Sequence, residues 1–192
     1  MTAVAQSPAL DELIRRLDAA TRQGDDEAIV QDVKQALMEV AAGGRLQLDP
    51  EFLRPAAERY ARRLLHLDPS GRYSLLVMVW DRGQGTKLHD HGGNWCVECV
   101  YQGEIEVTSD SMTGGDAARG IVHFQEETRI RAGQGEAGAL IPPFEHHILR
   151  NAGDTPAVTL HVYSHELTSC HVFEPVDGGG WRRKYVELSY TP

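Results

Sequence analysis

Two histidines one residue apart, His89 and His91, are the residues whose types and spacing most clearly indicate chemistry in this sequence. Side chains alternate between the two faces of an extended strand, so both imidazoles would point the same way. Imidazole is the commonest metal ligand among protein side chains. A single histidine is more often an ordinary surface or core residue, but this pair, flanked by turn-forming glycines, predicts part of a metal site.

The spacing around the pair is stricter than His-x-His alone. The sequence resembles the first motif of the cupin proteins, G(x)5HxH(x)4E(x)6G, with cysteine in the place of the usual glutamate. The matching residues are Gly83, His89, His91, Cys96 and Gly103.

A second cupin motif should supply one more histidine. Its proline, histidine and asparagine are matched by Pro142, His147 and Asn151, while Phe144 replaces its glycine. His146 is one residue out of register and would face the other way on a strand. We therefore predict a metal site of His89, His91 and His147 with no carboxylate, a ligand set that zinc, iron and nickel all accept.

A later segment carries three polar residues two positions apart: Thr159, His161 and Tyr163. On a strand they would share one face, and a polar trio beside apolar Leu160 and Val162 needs hydrogen-bond partners if it is buried. The alternative is a strand whose polar face lies in solvent.

Taken together, these segments resemble the cysteine dioxygenase type I family, which are cupin thiol dioxygenases that hold ferrous iron with three histidines. The resemblance covers most of residues 60–190 and is most specific at His-Asp-His, Cys96, residues 159–164 and residues 170–173. It implies that Thr159, His161 and Tyr163 form a relay facing the iron, in which His161 orients Tyr163. It also makes Cys96 and Tyr163 candidates for a covalent crosslink.

The same resemblance identifies a substrate anchor. Tyr60-Ala61-Arg62 is similar to the family's Tyr-x-Arg, whose arginine binds the substrate carboxylate, so Tyr60 and Arg62 are predicted to bind substrate, with Arg63 as the register alternative. Arginine favours L-cysteine as substrate. Ser164-His165-Glu166 departs from the Ser-Pro-Pro of cysteine-specific members, which leaves 3-mercaptopropionate and mercaptosuccinate as alternatives.

The elements that must position these residues divide the chain in two. Residues 1–8 are expected to form a frayed tail, and helical periodicity predicts helices from Ala9 to about Thr21, from Asp26 to Ala42, and from Asp49 towards Leu65. From Tyr73 onward the chain is a series of short candidate strands. The expected fold is mainly β, a cupin jelly-roll barrel over 69–192, with about three N-terminal α-helices in residues 1–68 packed beside it in the same domain.

Composition restricts the partners and the location. The formal net charge of −9 over 192 residues argues against nucleic-acid binding, and no apolar run is long enough to span a bilayer. Cys96, Cys99 and Cys170 are an odd number without a secretory context, so no disulfide framework is expected. These features favour a cytoplasmic protein.

The sequence therefore predicts an iron(II)-dependent thiol dioxygenase whose partners are O2 and a small thiol. A different cupin metalloenzyme and a non-catalytic cupin binding domain are the alternatives. The oligomeric state is left open by the sequence.

Overall fold

The computed structural model describes residues 7–116 and 119–192, so most of the predicted tail lies outside the described residues. Two helices, α1 (Pro8–Ala20) and α2 (Asp26–Ala42), precede eleven strands. The strands are β1 (Ala61–Leu67), β2 (Tyr73–Trp80), β3 (Leu88–His89), β4 (Cys96–Gln102), β5 (Glu104–Asp116), β6 (Ile121–Gly133), β7 (Ala137–Leu140), β8 (His146–Arg150), β9 (Ala157–Ser164), β10 (Ser169–Pro175) and β11 (Trp181–Glu187).

The strands form two layers. One is a five-stranded sheet in the order β1-β2-β9-β4-β7, and the other closes as β10-β11-β6-β5-β8-β3. The neighbours in each layer are mostly strands that are distant in sequence and run antiparallel, as in a jelly roll. The predicted mainly β cupin barrel with N-terminal helices is confirmed.

The first two predicted helices are present and begin at side-chain caps. The Ser7 hydroxyl accepts the Leu10 N–H at 3.2 Å, and the Asp25 carboxylate accepts the Ala28 N–H at 3.0 Å. Their buried faces share one apolar cluster with Leu160 and Val162 of β9. The helices therefore cover the outer face of the five-stranded sheet and leave its other face to the barrel interior.

The prediction of a third helix is wrong. Residues Pro50–Leu53 form only a short 3-10 turn, and Ala61–Leu67 is strand β1, so strands begin before residue 69. Pro55 lacks an N–H and interrupts a helix at this point. β1 instead pairs along its length with β2, and this distant pairing outweighs the local helical pattern.

The glycines at the two ends of the first motif lie at turns, as their spacing predicts. Gly83 and Gly103 have φ angles of 74° and 80°, in the left-handed region that favours glycine. A Cβ atom at Gly103 would also meet the Cα of Ala157 at 3.0 Å. These turns lie on either side of β3 and β4, the strands that carry His89 and Cys96.

A charged cluster ties α1 to the start of β2. The Arg72 guanidinium donates to Asp68 and Asp18 at 2.8 Å, and the Tyr73 hydroxyl donates to Asp18 at 3.1 Å. The hydrogen bonds from Arg72 hold the pKa of the Asp68 carboxyl well below its usual range.

Within residues 7–116 and 119–192, no helix has the length and apolarity to cross a bilayer.

Candidate metal centre and substrate pocket

The three predicted ligands converge on one point. His89 of β3 and His147 of β8 are directly paired, and their Nε2 atoms lie 3.2 Å apart. His91 follows β3, and its ring centroid is 5.2 Å from that of His89 and 4.9 Å from that of His147. One ligand nitrogen from each residue lies within 4.8 Å of the others, so the set could hold a metal ion.

The hydrogen bonding of the three imidazoles fits a metal ion. His89 Nδ1 lies 3.0 Å from the carbonyl oxygen of Lys87, so it carries the proton and leaves the Nε2 lone pair facing the centre. Both ring nitrogens of His91 and Nδ1 of His147 are buried without a hydrogen-bond partner. Burial lowers the pKa of all three histidines and favours the neutral form that binds metals.

The loop that carries His91 is fixed by a neighbouring carboxylate. Glu145 accepts the backbone N–H groups of His91 at 3.0 Å and of Gly93 at 3.3 Å.

His146 lies away from the three predicted ligands and packs against Phe124 and Phe173, with ring centroids 5.0 and 5.4 Å away. The structure therefore brings His147, rather than His146, to the other two ligands.

The polar trio of β9 faces the interior rather than solvent. All eight residues of β9 are buried, and its apolar alternates contact the helices. Tyr163 Oη lies 3.2 Å from His161 Nδ1, and His161 Nε2 lies 2.7 Å from Thr159 Oγ1. The Tyr163 ring lies 5.4 Å from the His91 ring, so the trio extends from the metal centre into the barrel.

A carboxylate that the sequence analysis did not single out also lies close to the three predicted ligands. Glu98 Oε1 is 3.6 Å from His147 Nε2 and 3.2 Å from His161 Nδ1. Glu98 comes two residues after Cys96 on β4 and shares its face. That period of two was the sequence signal that could have identified it.

Cys96 lies directly opposite Tyr163 in the register of β4 and β9. Its thiol donates to Glu98 Oε1 over 3.8 Å. Burial raises the pKa of the Cys96 thiol well above its usual value, and the negative charge of Glu98 raises it further. All three cysteines are buried and free.

A cavity of about 370 Å³ opens beside the histidines. Its lining includes Tyr60, Arg62, His89, His161 and Tyr163. The Tyr60 ring stacks on Trp80 with centroids 4.5 Å apart. Five of the predicted site residues thus line one cavity whose size suits a small molecule.

Arg62, rather than Arg63, lines this cavity. Arg62 is 4% exposed, and its Nη2 donates to the backbone oxygen of Leu167 at 2.6 Å, while its Nε is buried without a partner. Arg63 donates to the backbone oxygens of Phe52 and Arg54 on the opposite face of β1. A buried guanidinium with an unused donor is suited to a carboxylate ligand.

Two residues near Arg62 had no signal in the sequence as partners of the site. The Arg62 guanidinium lies over the Tyr190 ring, 4.8 Å from its centroid, and the Tyr190 hydroxyl donates to Glu166 at 2.8 Å. Burial, followed by the bond to Glu166, raises the pKa of Tyr190 to about 12. The Ser164-His165-Glu166 departure therefore supplies a residue that holds Tyr190 against Arg62.

The sequence is similar to known proteins along most of its length. A sequence model described as cysteine dioxygenase type I matches residues 1–175. Cysteine dioxygenase type 1 of Danio rerio is 27% identical over 187 residues, which cover 92% of this chain and 85% of that protein. Cysteine dioxygenase type 1 of Homo sapiens is 29% identical over 182 residues, which cover 92% of this chain and 84% of that protein.

Among solved structures, the cupin domain of Schizosaccharomyces pombe Cnp3 covers 63% of this chain and 74% of its own, with 13% identity and a TM-score of 0.46. A structural similarity this weak adds nothing to the description of the fold, which rests on the observed strand pairing. The match to the family over residues 1–175 is the decisive finding. The chain therefore belongs to the cysteine dioxygenase type I family, and it is an enzyme of the thiol dioxygenase class.

Proposed function

We propose that this enzyme uses iron(II) and O2 to convert a small thiol carboxylate into its sulfinate, with L-cysteine as the favoured substrate. The observation that carries the proposal is one cavity lined by a buried guanidinium, Arg62, a metal-ligand candidate, His89, and a buried hydroxyl, Tyr163. A substrate that spans this cavity needs a carboxylate at one end and a metal-binding group at the other.

His89, His91 and His147 would hold the iron. Neutral imidazoles are suitable ligands for iron, and one ring nitrogen of each of the three histidines lies within 4.8 Å of the others. When bound, ferrous iron would favour the thiolate over the thiol and would supply the redox chemistry by which O2 oxidises sulfur.

The remaining residues would bind and orient the substrate. Arg62 would hold the carboxylate through its unused Nε donor, with Tyr60 beside it. Burial raises the pKa of Tyr163 well above its usual value, so its hydroxyl keeps its proton and can donate a hydrogen bond in the cavity. His161 and Thr159 would fix the position of that hydroxyl.

The carboxylate of Glu98 supports cysteine over the alternative thiols. Glu98 lines the same cavity as Arg62, so the cavity offers one buried cation and one buried anion. The ammonium group of cysteine complements Glu98, whereas 3-mercaptopropionate lacks a cation and mercaptosuccinate adds a second anion.

The substrate order is tested by oxygen consumption of the anaerobically iron-loaded protein with four thiols: cysteine, 3-mercaptopropionate, mercaptosuccinate and cysteamine. We expect the highest kcat/KM with cysteine. A higher value with either mercaptocarboxylate would reassign the substrate, and inertness towards all four would overturn the proposed activity.

We further propose that Cys96 and Tyr163, which face each other across two strands, form a thioether during turnover. The crosslinked protein would be lighter by two hydrogen atoms. The measurement is intact mass with a peptide map before and after turnover with iron, O2 and thiol. Full alkylation of Cys96 in every molecule after turnover would rule out the crosslink.

The alternative functions and the location differ in their support. No observation supports the alternative of a non-catalytic cupin binding domain, since the matching family is one of enzymes. A different cupin reaction would leave the buried Arg62 donor without a role, which favours the thiol carboxylate. The cytoplasmic location stays a proposal from composition.

A further inference from the structure

We propose that a second cavity of the barrel binds a small organic amine with an apolar body, whose ammonium group is held by Asp110. This cavity has a volume of about 500 Å³ and is larger than the one beside the three histidines. Its size lies within the range of small-molecule sites. Asp110 is neither a predicted metal ligand nor a predicted thiol-binding residue, so this site is independent of the proposed dioxygenase activity.

Small residues on β7 leave the space for this cavity. Ala137, Gly138 and Ala139 belong to its lining. A Cβ atom at Gly138 would meet no other atom within 4 Å. Residues of β5 and β6 also line the cavity, so it occupies a part of the barrel interior between the two layers of strands.

The surface of the cavity is mostly apolar. Ile105, Leu140 and Leu149 line it and are buried. Phe144 and Ile130 also line it, yet they are 76% and 57% exposed. These two side chains therefore lie where the cavity opens to solvent, and an apolar ligand that enters there would cover them.

Two polar side chains of the lining have unused hydrogen-bonding atoms. Asp110 of β5 and His146 of β8 are directly paired, and both line the cavity. Asp110 Oδ2 and His146 Nδ1 are buried and have no hydrogen-bond partner among the described residues. His146 is 9% exposed. Since a buried polar atom without a partner is costly, a ligand that donates to Asp110 gains from this arrangement.

The charges around Asp110 favour a cationic ligand. The lining contains four carboxylate residues, Glu98, Asp110, Glu127 and Glu136. Among the described lining residues, Arg131 is the only arginine or lysine, and its guanidinium donates to Glu104 at 3.2 Å. Burial, followed by the charge of Glu126, raises the pKa of Asp110. An ammonium group would supply the positive charge that this carboxylate lacks.

The class of ligand follows from these features together. An ammonium group is a donor with no acceptor, which suits a carboxylate oxygen without a partner. The same carboxylates would repel an anionic ligand, and the apolar lining requires an apolar body. Glu98 and His161 line both cavities, but Asp110 lines the larger one and Arg62 the smaller one, so variants can distinguish the two sites.

The test is calorimetric titration of the full chain with three probes of one shape and different charge: benzylamine, benzyl alcohol and benzoate. We expect benzylamine to bind at one site, benzyl alcohol to bind more weakly, and benzoate not to bind. No binding of benzylamine, or equal binding of benzylamine and benzoate, would overturn the proposal.

Asp110→Leu should weaken benzylamine binding by at least about tenfold, because a hydrogen bond to a charged group is lost. Asp177→Leu is the control, since it removes the same charge from an exposed position outside the lining. Arg62→Gln should also leave the affinity unchanged. Equal affinities in wild type and Asp110→Leu would overturn the site, and a change in Arg62→Gln would place the amine in the smaller cavity.

A third variant fills the cavity instead of removing its charge. Gly138→Phe places a ring where a Cβ atom meets no neighbour, so it should abolish benzylamine binding while thermal unfolding shows a folded protein. Undiminished binding in folded Gly138→Phe would contradict the location. If this variant does not fold, the comparison of Asp110→Leu with Asp177→Leu still decides the proposal.

Discussion

The His147→Gln protein is expected to lose its metal and its sulfinate-forming activity, whereas the His146→Gln protein keeps both. His147 Nε2 lies 3.2 Å from His89 Nε2, so replacing this imidazole removes one of three ligands. Loss of a group that merely supports a ligand costs about 10–100-fold in metal affinity, so loss of the ligand itself should cost more than about 100-fold.

The measurement is metal content after anaerobic loading, together with sulfinate formation under the same conditions. His146 is the matched control because it is the next residue on β8 and packs against Phe124 and Phe173. Its replacement should lower the melting temperature without changing metal content. Stoichiometric metal in His147→Gln, or metal loss in both variants alike, would contradict the assignment.

The Arg62→Gln protein is expected to lose about 25-fold or more in kcat/KM for a thiol that carries a carboxylate. Removing one partner of a buried, hydrogen-bonded charge pair costs about 2–5 kcal/mol, and each 1.4 kcal/mol corresponds to a factor of about ten. Cysteamine has no carboxylate, so its kcat/KM should change less than about tenfold. The comparison of cysteine with cysteamine therefore isolates the carboxylate contact.

Arg63→Gln is the control for this experiment. Arg63 donates to the backbone oxygens of Phe52 and Arg54, so its loss should lower stability and leave kcat/KM unchanged. Arg62 also donates to Leu167, so thermal unfolding of both variants must be measured. An equal loss for cysteine and cysteamine in Arg62→Gln would show that Arg62 acts through the fold and not on the carboxylate.

The metal centre was predictable because its signals are local in sequence. The His-x-His spacing marked His89 and His91, although only His89 lies in a strand, and a strand period of two placed Thr159, His161 and Tyr163 on one face of β9. Likewise, the spacing of the second motif was enough to distinguish His147 from His146. The period of two also puts Glu98 on the face of Cys96, but the first motif specifies no residue type at that position, so Glu98 was not predicted.

Other features were not predictable, since they depend on contacts between distant segments. Strand β1 exists because Ala61–Leu67 pairs with β2, and the local pattern of the same residues favoured a helix. Tyr190 reaches Arg62 from the end of the chain, and Glu166 orients it from a third segment. No spacing within the sequence reports such an arrangement.

The central claim is that O2 oxidises the sulfur of a thiol held beside the three histidines. The most direct measurement is the mass of the sulfinate formed by the iron-loaded protein from cysteine under ¹⁸O2 in unlabelled water. We predict that both sulfinate oxygen atoms carry the label. A product with oxygen from water, or cysteine left unoxidised by a fully loaded protein, would contradict it.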